Sequence, residues 1–519
     1  MPSFLRLAAL AVGAATAAIS VRAQCQPATY VGFHQEVVGG ALAVDGDLAL
    51  FGHARGYSAG LFRRRGNDYW TRIGLFGGSG AHPEGMGNAV ALRGDVAVLG
   101  DPRDWSLPGH NWSIANGAAV IFERIGGTWT RTLDLYPPTP VANNTNYGAG
   151  VAIADDGSRV LVSAPGAAPL GELHVYLRVP AGWALEQTIT GAALNPPRPL
   201  IATAALTNGY LFVGTDDGPN ESVYVLTQQG GSWTQAGVLQ PPQLAADAQF
   251  AAAIAADGPI VAVGAPRQPV GSSTGTVFVY DVTQPGWMTQ PFAILPPPNP
   301  TMTSFGRAID VAGDRLAIGT YGTALEHRRQ GNAWPLFAAV YPPNQGYSGA
   351  FGAAVGLHSH GLLVGDNYYD DDPWNYPDSP GGVHSFDLTD HGKPFQGCRR
   401  GVAIEWVDRL DLQVRWPQQA GKSYQIFGSL SGTGPTPVGG VQVPLTLDLY
   451  TWFLIDHPTY FTGGSGVLDG NGRASLTWNV PSGLPTSLDG LTFYHAIVAY
   501  DATSLAVSNA VESRLVKYY

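Results

Sequence analysis

Short hydrophobic runs separated by tight turns recur along the chain in one pattern. Each copy begins with small apolar residues, turns tightly into a second run that ends near Val-Gly, and continues through a variable loop into an aromatic run. A Gly-Trp turn follows, and often Leu and Pro-Pro. The clearest copy spans residues 250–297 and contains the runs 260–264 and 275–280. Short runs rich in β-branched and aromatic residues and bounded by Gly and Pro predict β-strands.

The residue that ends the second run gives a common reference point in every copy. It recurs at Gly52, Gly100, Ser163, Gly214, Gly264, Gly319 and Gly365, with spacings of 46 to 63 residues. Repeats of this length with four strands each are typical of β-propeller blades. We therefore predict an all-β protein in which residues 24–398 form a seven-bladed β-propeller.

The seventh copy lacks its last strand, because the chain leaves the pattern near Leu388. Residues 28–36 precede the first copy, and pairing there would close the ring and remove an exposed strand edge. The two cysteines of the chain, Cys25 and Cys398, flank these segments, and an even count favours a disulfide if residues 1–23 direct secretion, as predicted below. We predict a Cys25–Cys398 bridge that clasps the propeller, with two free thiols as the alternative.

The residues around the strand ends resemble FG-GAP repeats, the units of integrin-α-type propellers. Residues 305–306 and 351–352 match the Phe-Gly half, residues 264–266 match Gly-Ala-Pro, and residues 163–165 are close to it. The resemblance covers about residues 37–388 and implies a propeller without implying an activity. Many such repeats bind calcium between their first two strands, where carboxylates alternate along the loop. This chain has short turns there with too few carboxylates, so those calcium sites do not carry over.

Two segments lie outside the repeat. Residues 1–23 combine a basic start, an apolar run and small residues before a cleavage point after Ala23, which predicts a secretory signal peptide. A membrane anchor is the alternative, but the apolar run is shorter than the roughly 20 residues that span a bilayer. Residues 399–519 have longer alternating runs and explicit turns, which predict a small antiparallel β-sandwich.

The last segment also resembles a tail domain of secreted bacterial proteins, through residues 424–432, 468–472 and 491–496. The resemblance implies no catalytic role. A part in sorting or surface attachment is one interpretation, and a stabilising spacer is the other.

Composition narrows the class of protein. Charged residues make up 13% of the 519 residues, 68 are Gly and 40 are Pro, and hydrophobic residues reach 45%. These values exclude a helical bundle and disagree with disorder. A formal charge of −11 argues against nucleic acid as a partner.

Few residues carry recognisable chemistry. Residues 56–60 match G-x-S-x-G, but that motif needs a helix after its Ser and here a strand is expected. The pair His358 and His360 is expected in a solvated turn. One acidic cluster is a weak calcium candidate, with a solvated loop as the alternative: Asp366, Asp370, Asp371 and Asp372. No other cofactor is expected.

The loops between second and third strands vary most, and such loops commonly carry binding surfaces on a rigid scaffold. Aromatic and charged residues concentrate in those of blades 7, 1 and 2, which are neighbours in a closed ring. We predict a ligand surface made by Arg55, Tyr57, Trp105, His110, Trp112, Tyr368, Tyr369, Trp374 and Tyr376. Such side chains suit a sugar ring, a cationic ligand or a protein partner. Packing of these aromatics against the end of the propeller is the alternative.

The segments nearest the axis are rich in Ala, Val and Gly, whereas enzymes on propellers gather carboxylates, His or Arg there. We therefore predict a secreted or cell-surface binding protein that is not an enzyme. We expect a monomer without a transmembrane segment, whose partner is a protein or carbohydrate at the cell surface. The alternatives are a carbohydrate-active lyase or hydrolase on a propeller scaffold and a structural component of the cell envelope.

Overall fold

Four-stranded antiparallel sheets make up most of the fold. The structure, a computed structural model, describes residues 28–31, 38–53, 58–65, 69–77, 86–103, 116–138, 145–216, 221–241, 243–342, 350–366, 382–388, 395–397, 401–403, 408–457, 460–480, 488 and 491–516. All structural statements below concern these residues.

Six of the sheets are each built from four consecutive strands, while β1 (Ala28–Val31) precedes them. Blades 1 and 2 contain β2 (Val38–Asp45), β3 (Leu48–His53), β4 (Ser58–Arg65) and β5 (Tyr69–Gly77), then β6 (Ala89–Arg93), β7 (Val96–Asp101), β8 (Ala118–Ile125) and β9 (Thr128–Leu135). Blades 3 and 4 contain β10 (Val151–Ile153), β11 (Arg159–Ala164), β12 (Glu172–Val179) and β13 (Gly182–Thr190), then β14 (Leu200–Thr207), β15 (Tyr210–Thr215), β16 (Ser222–Gln229) and β17 (Ser232–Leu239). Blades 5 and 6 contain β18 (Ala253–Asp257), β19 (Ile260–Val270), β20 (Ser273–Asp281) and β21 (Ala293–Leu295), then β22 (Ala308–Ala312), β23 (Arg315–Gly319), β24 (Ala324–Arg328) and β25 (Leu336–Val340).

Blade 7 is completed by a strand from the other end of the propeller segment. Its own strands are β26 (Phe351–His358), β27 (Gly361–Asp366) and β28 (Gly382–Asp387), and β1 supplies the fourth. Ala28 pairs with Ser385 and Val31 with Gly382, in antiparallel register. The prediction that the segment before the first copy closes the ring is therefore confirmed for residues 28–31.

The sheets follow one another around a central axis. The first strands of neighbouring sheets contact each other in chain order, and β26 of blade 7 contacts β2 of blade 1. Seven hydrophobic clusters each join two neighbouring blades, as Phe212 of blade 4 and Phe278 of blade 5 do. The fold is thus the predicted seven-bladed propeller, with its core divided among the spaces between blades.

The recurring glycines have a specific packing role. A Cβ at Gly264 would collide with the carbonyl oxygen of Gly306 in the next blade, and one at Gly100 would collide with that of Gly148. Gly306 and Gly148 themselves have φ of 90° and 85°, which favours glycine. The Gly-Ala-Pro and Phe-Gly positions are therefore two sides of one close backbone contact between blades.

Polar contacts reinforce the place where the ring closes. Arg64 of blade 1 donates to Ser359 Oγ of blade 7 at 2.8 Å and contacts His360 Nδ1 at 2.5 Å. Trp70 Nε1 donates to Ser385 Oγ at 3.2 Å. His358 is buried and its ring meets Trp70 edge-on, with centroids 5.6 Å apart. The expectation that this histidine turn is simply solvated was therefore wrong, because its side chains hold blades 7 and 1 together.

The C-terminal strands form two further sheets. One has the order β29 (Phe395–Gly397), β31 (Asp408–Arg415), β37 (Arg473–Val480), β35 (Phe461–Thr462). The other has the order β30 (Gly401–Ala403), β40 (Val511–Val516), β38 (Thr492–Tyr500), β32 (Ser423–Ser429), β36 (Ser465–Val467), with β39 (Leu505–Val507) on β38. A hairpin joins β33 (Thr436–Val438) to β34 (Val441–Val443).

These sheets share one apolar core, in which Val414 and Trp478 of one sheet meet Ile426 and Ile497 of the other. The arrangement is the predicted sandwich, with one parallel pair, β30 and β40. Residues 395–397 already belong to it, a few residues before the predicted boundary.

One α-helix was not predicted: α1 (Leu449–Asp456), whose first turn is capped by Asp448 and Thr451 in a reciprocal capping box. Two short 3₁₀ helices span Gly191–Ala193 and Pro417–Gln419.

Candidate functional site

The axis of the propeller is a narrow channel. First strands from all seven blades line a cavity of about 290 Å³. Most side chains along it are apolar, such as Leu42, Ile254 and Val355. The sequence-based expectation of a largely apolar axis is confirmed along its wall.

Charged residues gather at one mouth of this channel, on the face with the short turns between first and second strands. Arg93 of blade 2 donates to Asp257 Oδ1 of blade 5 at 2.9 Å. It also reaches Asp155 of blade 3, with 3.1 Å from Nε to the backbone oxygen and 3.4 Å from Nη2 to Oδ1. Because blades 2 and 5 stand on opposite sides of the ring, Arg93 crosses the mouth. Sequence reasoning missed this cluster, since its members are far apart in the chain.

The carboxylates at this mouth bind backbone groups of other blades. Asp45 Oδ2 accepts from Gly94 N at 2.6 Å, and Asp257 Oδ2 accepts from Gly313 N at 2.8 Å. Asp310 Oδ2 accepts from Leu357 N at 2.7 Å, and Asp155 Oδ2 accepts from Gly258 N at 3.1 Å. Each carboxylate thus fixes a turn or strand end of another blade, which is a structural role.

Burial shifts the ionisation of two of these acids. It raises the pKa of Asp310 to about 7, against the opposing effect of the backbone N–H groups of Leu357 and Val311. Burial also raises the pKa of Asp155, although its hydrogen bond with Thr207 and the charge of Arg93 act the other way. Burial alone would lower the pKa of Arg93, but the hydrogen bond to Asp257 and the charge of Asp155 outweigh it and raise the pKa.

The predicted ligand surface consists of residues between second and third strands, and the described ends of those strands lie on the opposite face. Its residues Arg55, Tyr57, Trp105, His110, Trp112, Tyr368, Tyr369, Trp374 and Tyr376 lie outside the described residues. So do Asp370, Asp371 and Asp372 of the calcium candidate, and Cys25 and Cys398. The strands from which these loops leave are described, and they belong to blades 1, 2 and 7, which adjoin in the ring.

Buried polar side chains stand at the bases of two of these loops. Asp101 and Asn116 border the loop of blade 2, and Asp366 begins that of blade 7; each is at most 1% exposed. Asp101 Oδ1 accepts from Arg103 N at 3.2 Å. The side-chain amide of Asn116 has no hydrogen-bond partner in the part of the chain that the structure describes. Asp366 is therefore buried rather than solvated, unlike the solvated loop that was the alternative for its cluster. No sequence pattern had indicated that Asn116 would be buried at the base of its loop.

Metal binding, the G-x-S-x-G motif and membrane crossing each require a specific local structure. Across the described ranges, no three His, Cys, Asp or Glu side chains meet in an arrangement that could hold a metal ion. The serine of the G-x-S-x-G match, Ser58, begins strand β4 and is buried, so that part of the motif has no following helix. Among the described residues, no helix has the length and apolar character needed to cross a membrane.

No family model matches the chain, and no curated protein matches it. Among solved structures, U3-55K is 11% identical with a TM-score of 0.44, covering 69% of this chain and 98% of that chain. The Cps50 (Swd1) β-propeller domain of Myceliophteria thermophila is 9% identical with a TM-score of 0.43, covering 69% and 99%. A putative 6-phosphogluconolactonase from Bacteroides uniformis is 9% identical with a TM-score of 0.41, covering 59% and 85%.

Proposed function

We propose that the protein is a secreted or cell-surface binding protein without catalytic activity, whose propeller presents a ligand surface on the loops of blades 7, 1 and 2. The observation that carries this proposal is the pair of buried polar loop bases, at Asn116 in blade 2 and Asp366 in blade 7. A buried amide without a hydrogen bond costs about 1–3 kcal/mol, so its presence in a native fold calls for an explanation, and a functional role at the loop is one. The charged mouth on the other face supports the same view, because its carboxylates are engaged in holding blades together.

A relationship to FG-GAP repeats of the integrin-α type is part of this proposal. Its support is the close contact between Gly264 and Gly306, which explains why both halves of the repeat need glycine. The short turns of the first hairpins carry too few carboxylates to bind calcium, so we propose that ligand binding does not depend on calcium. The acidic cluster of Asp366, Asp370, Asp371 and Asp372 is the weak calcium candidate that this statement is tested against.

Trp105→Ala and Trp374→Ala test the ligand surface. We expect each substitution to weaken binding to a glycan array or to a cell-surface partner by tenfold or more, because aromatic anchors dominate such interfaces. Trp452→Ala is the matched control, since Trp452 is 59% exposed on helix α1, in the C-terminal sandwich. Equal binding by all three variants would refute the proposal. Repeating the array with and without calcium tests the calcium statement.

Secretion and the clasp have separate tests. Cell fractionation should find the protein outside the cytoplasm, with its mature N-terminus after Ala23. Peptide mapping without reduction should recover a peptide pair joined through Cys25 and Cys398. Two free thiols would contradict the clasp without affecting the ligand surface.

A further inference from the structure

Arginines of the propeller mostly bridge blades or strands, and Arg307 does not. Arg315 binds Glu326, and Arg329 Nη2 lies 2.9 Å from Asp281 Oδ2. Among the described residues, the guanidinium of Arg307 has no hydrogen bond and no carboxylate at ion-pair distance; only its backbone N–H bonds, to Ser304 O at 3.1 Å. It is also half-buried. A partly desolvated cation without a direct partner is unfavourable unless another group supplies one.

The blade itself does not require an arginine at this position. The strand registers pair Ala308 with Gly319 and Ala354 with Gly365, which makes Ala353 of blade 7 the counterpart of Arg307. In blade 5 the counterpart is Ala252, because Ala253 pairs with Gly264. Arg307 precedes β22 at its loop-face end, opposite to the charged mouth.

The surroundings of Arg307 are rigid and include an exposed ring. Tyr321, 59% exposed, belongs to the turn 320–323, which is closed by a 2.8 Å bond from Thr320 N to Thr323 O. The N–H of Tyr321 also bonds Thr303 O at 3.0 Å, and that of Gly322 bonds Phe351 O of blade 7 at 3.0 Å. Gly306 N bonds Gly319 O at 3.0 Å, which places the turn 320–323 beside Arg307. Burial lowers the pKa of Arg307, while Tyr321 and the buried Asp366 act to raise it.

We propose that Arg307 and Tyr321 form a subsite for the carboxylate and ring of a uronic acid residue in an acidic glycan. A guanidinium presents a planar fork that matches a carboxylate, and a fixed tyrosine ring offers an apolar face for a pyranose. The subsite borders blade 7 through the bond from Gly322 N to Phe351 O, so it extends the ligand surface of the proposed function, on which this inference rests. A sugar is favoured over an acidic peptide because aromatic side chains are so frequent in the adjoining loop sequences, with Tyr368 and Trp374 in blade 7.

Calorimetric titration of the full-length protein with trigalacturonate, beside a neutral galactan trimer, tests the subsite. Arg307→Ala should weaken trigalacturonate binding by about tenfold or more, since a charge-assisted hydrogen-bonded pair is lost. Arg307→Lys should weaken it less, because the charge remains without the fork. Neutral galactan should be unaffected by either change. Arg267→Ala is the matched control: Arg267 is exposed in β19, which carries the second-to-third-strand loop of blade 5, and should bind as wild type.

The thermal midpoint of each variant separates binding from folding. Arg307→Ala should unfold no earlier than wild type, because the guanidinium holds no described partner; a large drop would assign it a structural role and overturn the inference. Retained trigalacturonate affinity in Arg307→Ala, or no trigalacturonate binding at all, would also overturn it. Binding of polyglutamate in place of trigalacturonate would assign the subsite to a peptide and overturn the glycan. If Trp105→Ala abolishes galactan binding while Arg307→Ala changes nothing, the proposed function stands and the subsite fails.

Discussion

Single buried charges in the propeller are stabilised by several partners at once. Glu326 is fully buried and receives Arg315 through Nε and Nη2, both at 2.9 Å, and Arg328 through Nε at 2.6 Å. Arg315 also donates to Gly361 O of blade 7 at 3.0 Å. Removing the central carboxylate would leave two guanidinium groups without their shared partner.

Glu326→Ala should therefore destabilise the propeller by about 3–5 kcal/mol, the usual cost of breaking a buried ion pair from one side. Urea unfolding followed by tryptophan fluorescence measures the change. Asp134→Ala is the control, because it removes an i,i+3 pair with Arg131 on the surface and should cost under about 1 kcal/mol. Similar losses in both variants would contradict the role of burial.

Asp310 gives a pH dependence with a defined sign. Its folded pKa, about 7, lies above its usual value of 3.8, so the folded state holds a proton that the unfolded state has released. This contribution to stability is therefore present below pH 3.8 and is lost as pH rises through 7. Asp310→Asn removes this loss of stability at high pH, because the amide does not titrate, and it keeps an oxygen that accepts from Leu357 N.

We expect the thermal midpoint of Asp310→Asn, relative to wild type, to rise steadily between pH 4 and pH 8. The comparison must be made between the two proteins, because buried His384, whose pKa falls to about 3, has the opposite effect on the wild-type curve. A difference that does not change with pH would show that Asp310 does not titrate in this range.

At the scale of elements, β1 decides whether blade 7 has an open edge. Two consecutive residues of an antiparallel strand alternate in their hydrogen bonding, so one of Thr29 and Tyr30 must donate to β28. The double substitution Thr29→Pro/Tyr30→Pro removes that donor and should cost about 1–3 kcal/mol. The double alanine variant keeps both N–H groups and should lose less. Urea midpoints that match in the two variants would argue against closure by this strand.

The sequence repeat predicted most of the strands. Helix α1 and the contacts between distant residues follow from interactions that the repeat does not contain. The strands were predictable because packing between blades requires specific residue types in each repeat. These are small apolar residues in the first strand, Val-Gly at the end of the second and aromatic residues in the third, and the contact of Gly264 with Gly306 is an example of such packing. Helix α1 was not, since an eight-residue apolar helix has no sustained period, and its one local signal was Asp448 three residues before Thr451. The Arg93 cluster, and the lack of a side-chain partner for Arg307 among the described residues, depend on long-range geometry, which no local pattern encodes.

On the scale of the whole molecule, the cores of the propeller and of the C-terminal sandwich are separate. The sandwich clusters contain only residues from 412 onward, and the other clusters contain only propeller residues. His495 is fully buried in the sandwich beside Tyr450, Phe461 and Trp478. Burial lowers its pKa to about 3.

Calorimetry should therefore resolve two transitions, and the one that belongs to the sandwich should weaken in acid. The folded pKa of His495 lies below its usual value of 6.5, so the unfolded state binds the extra proton and stability is lost as pH falls from 6.5 towards 3. His495→Gln keeps a partner for Tyr450 Oη, 3.0 Å from His495 Nε2, and should flatten this dependence. A single transition, or equal acid sensitivity in the variant, would contradict the prediction.

The pairing of β1 with β28 also orders events in time. Ala28 precedes the first blade in the chain, but its partner Ser385 belongs to the last strand of blade 7 and is made only after the other six blades. Until then the first segment has no sheet to join, and blade 7 cannot be complete. Contacts between such distant parts of a chain form slowly, and an unfinished sheet edge invites association with other molecules. The last step of ring closure is thus the arrival of the first strand, so the ring can close only when the whole propeller segment is present.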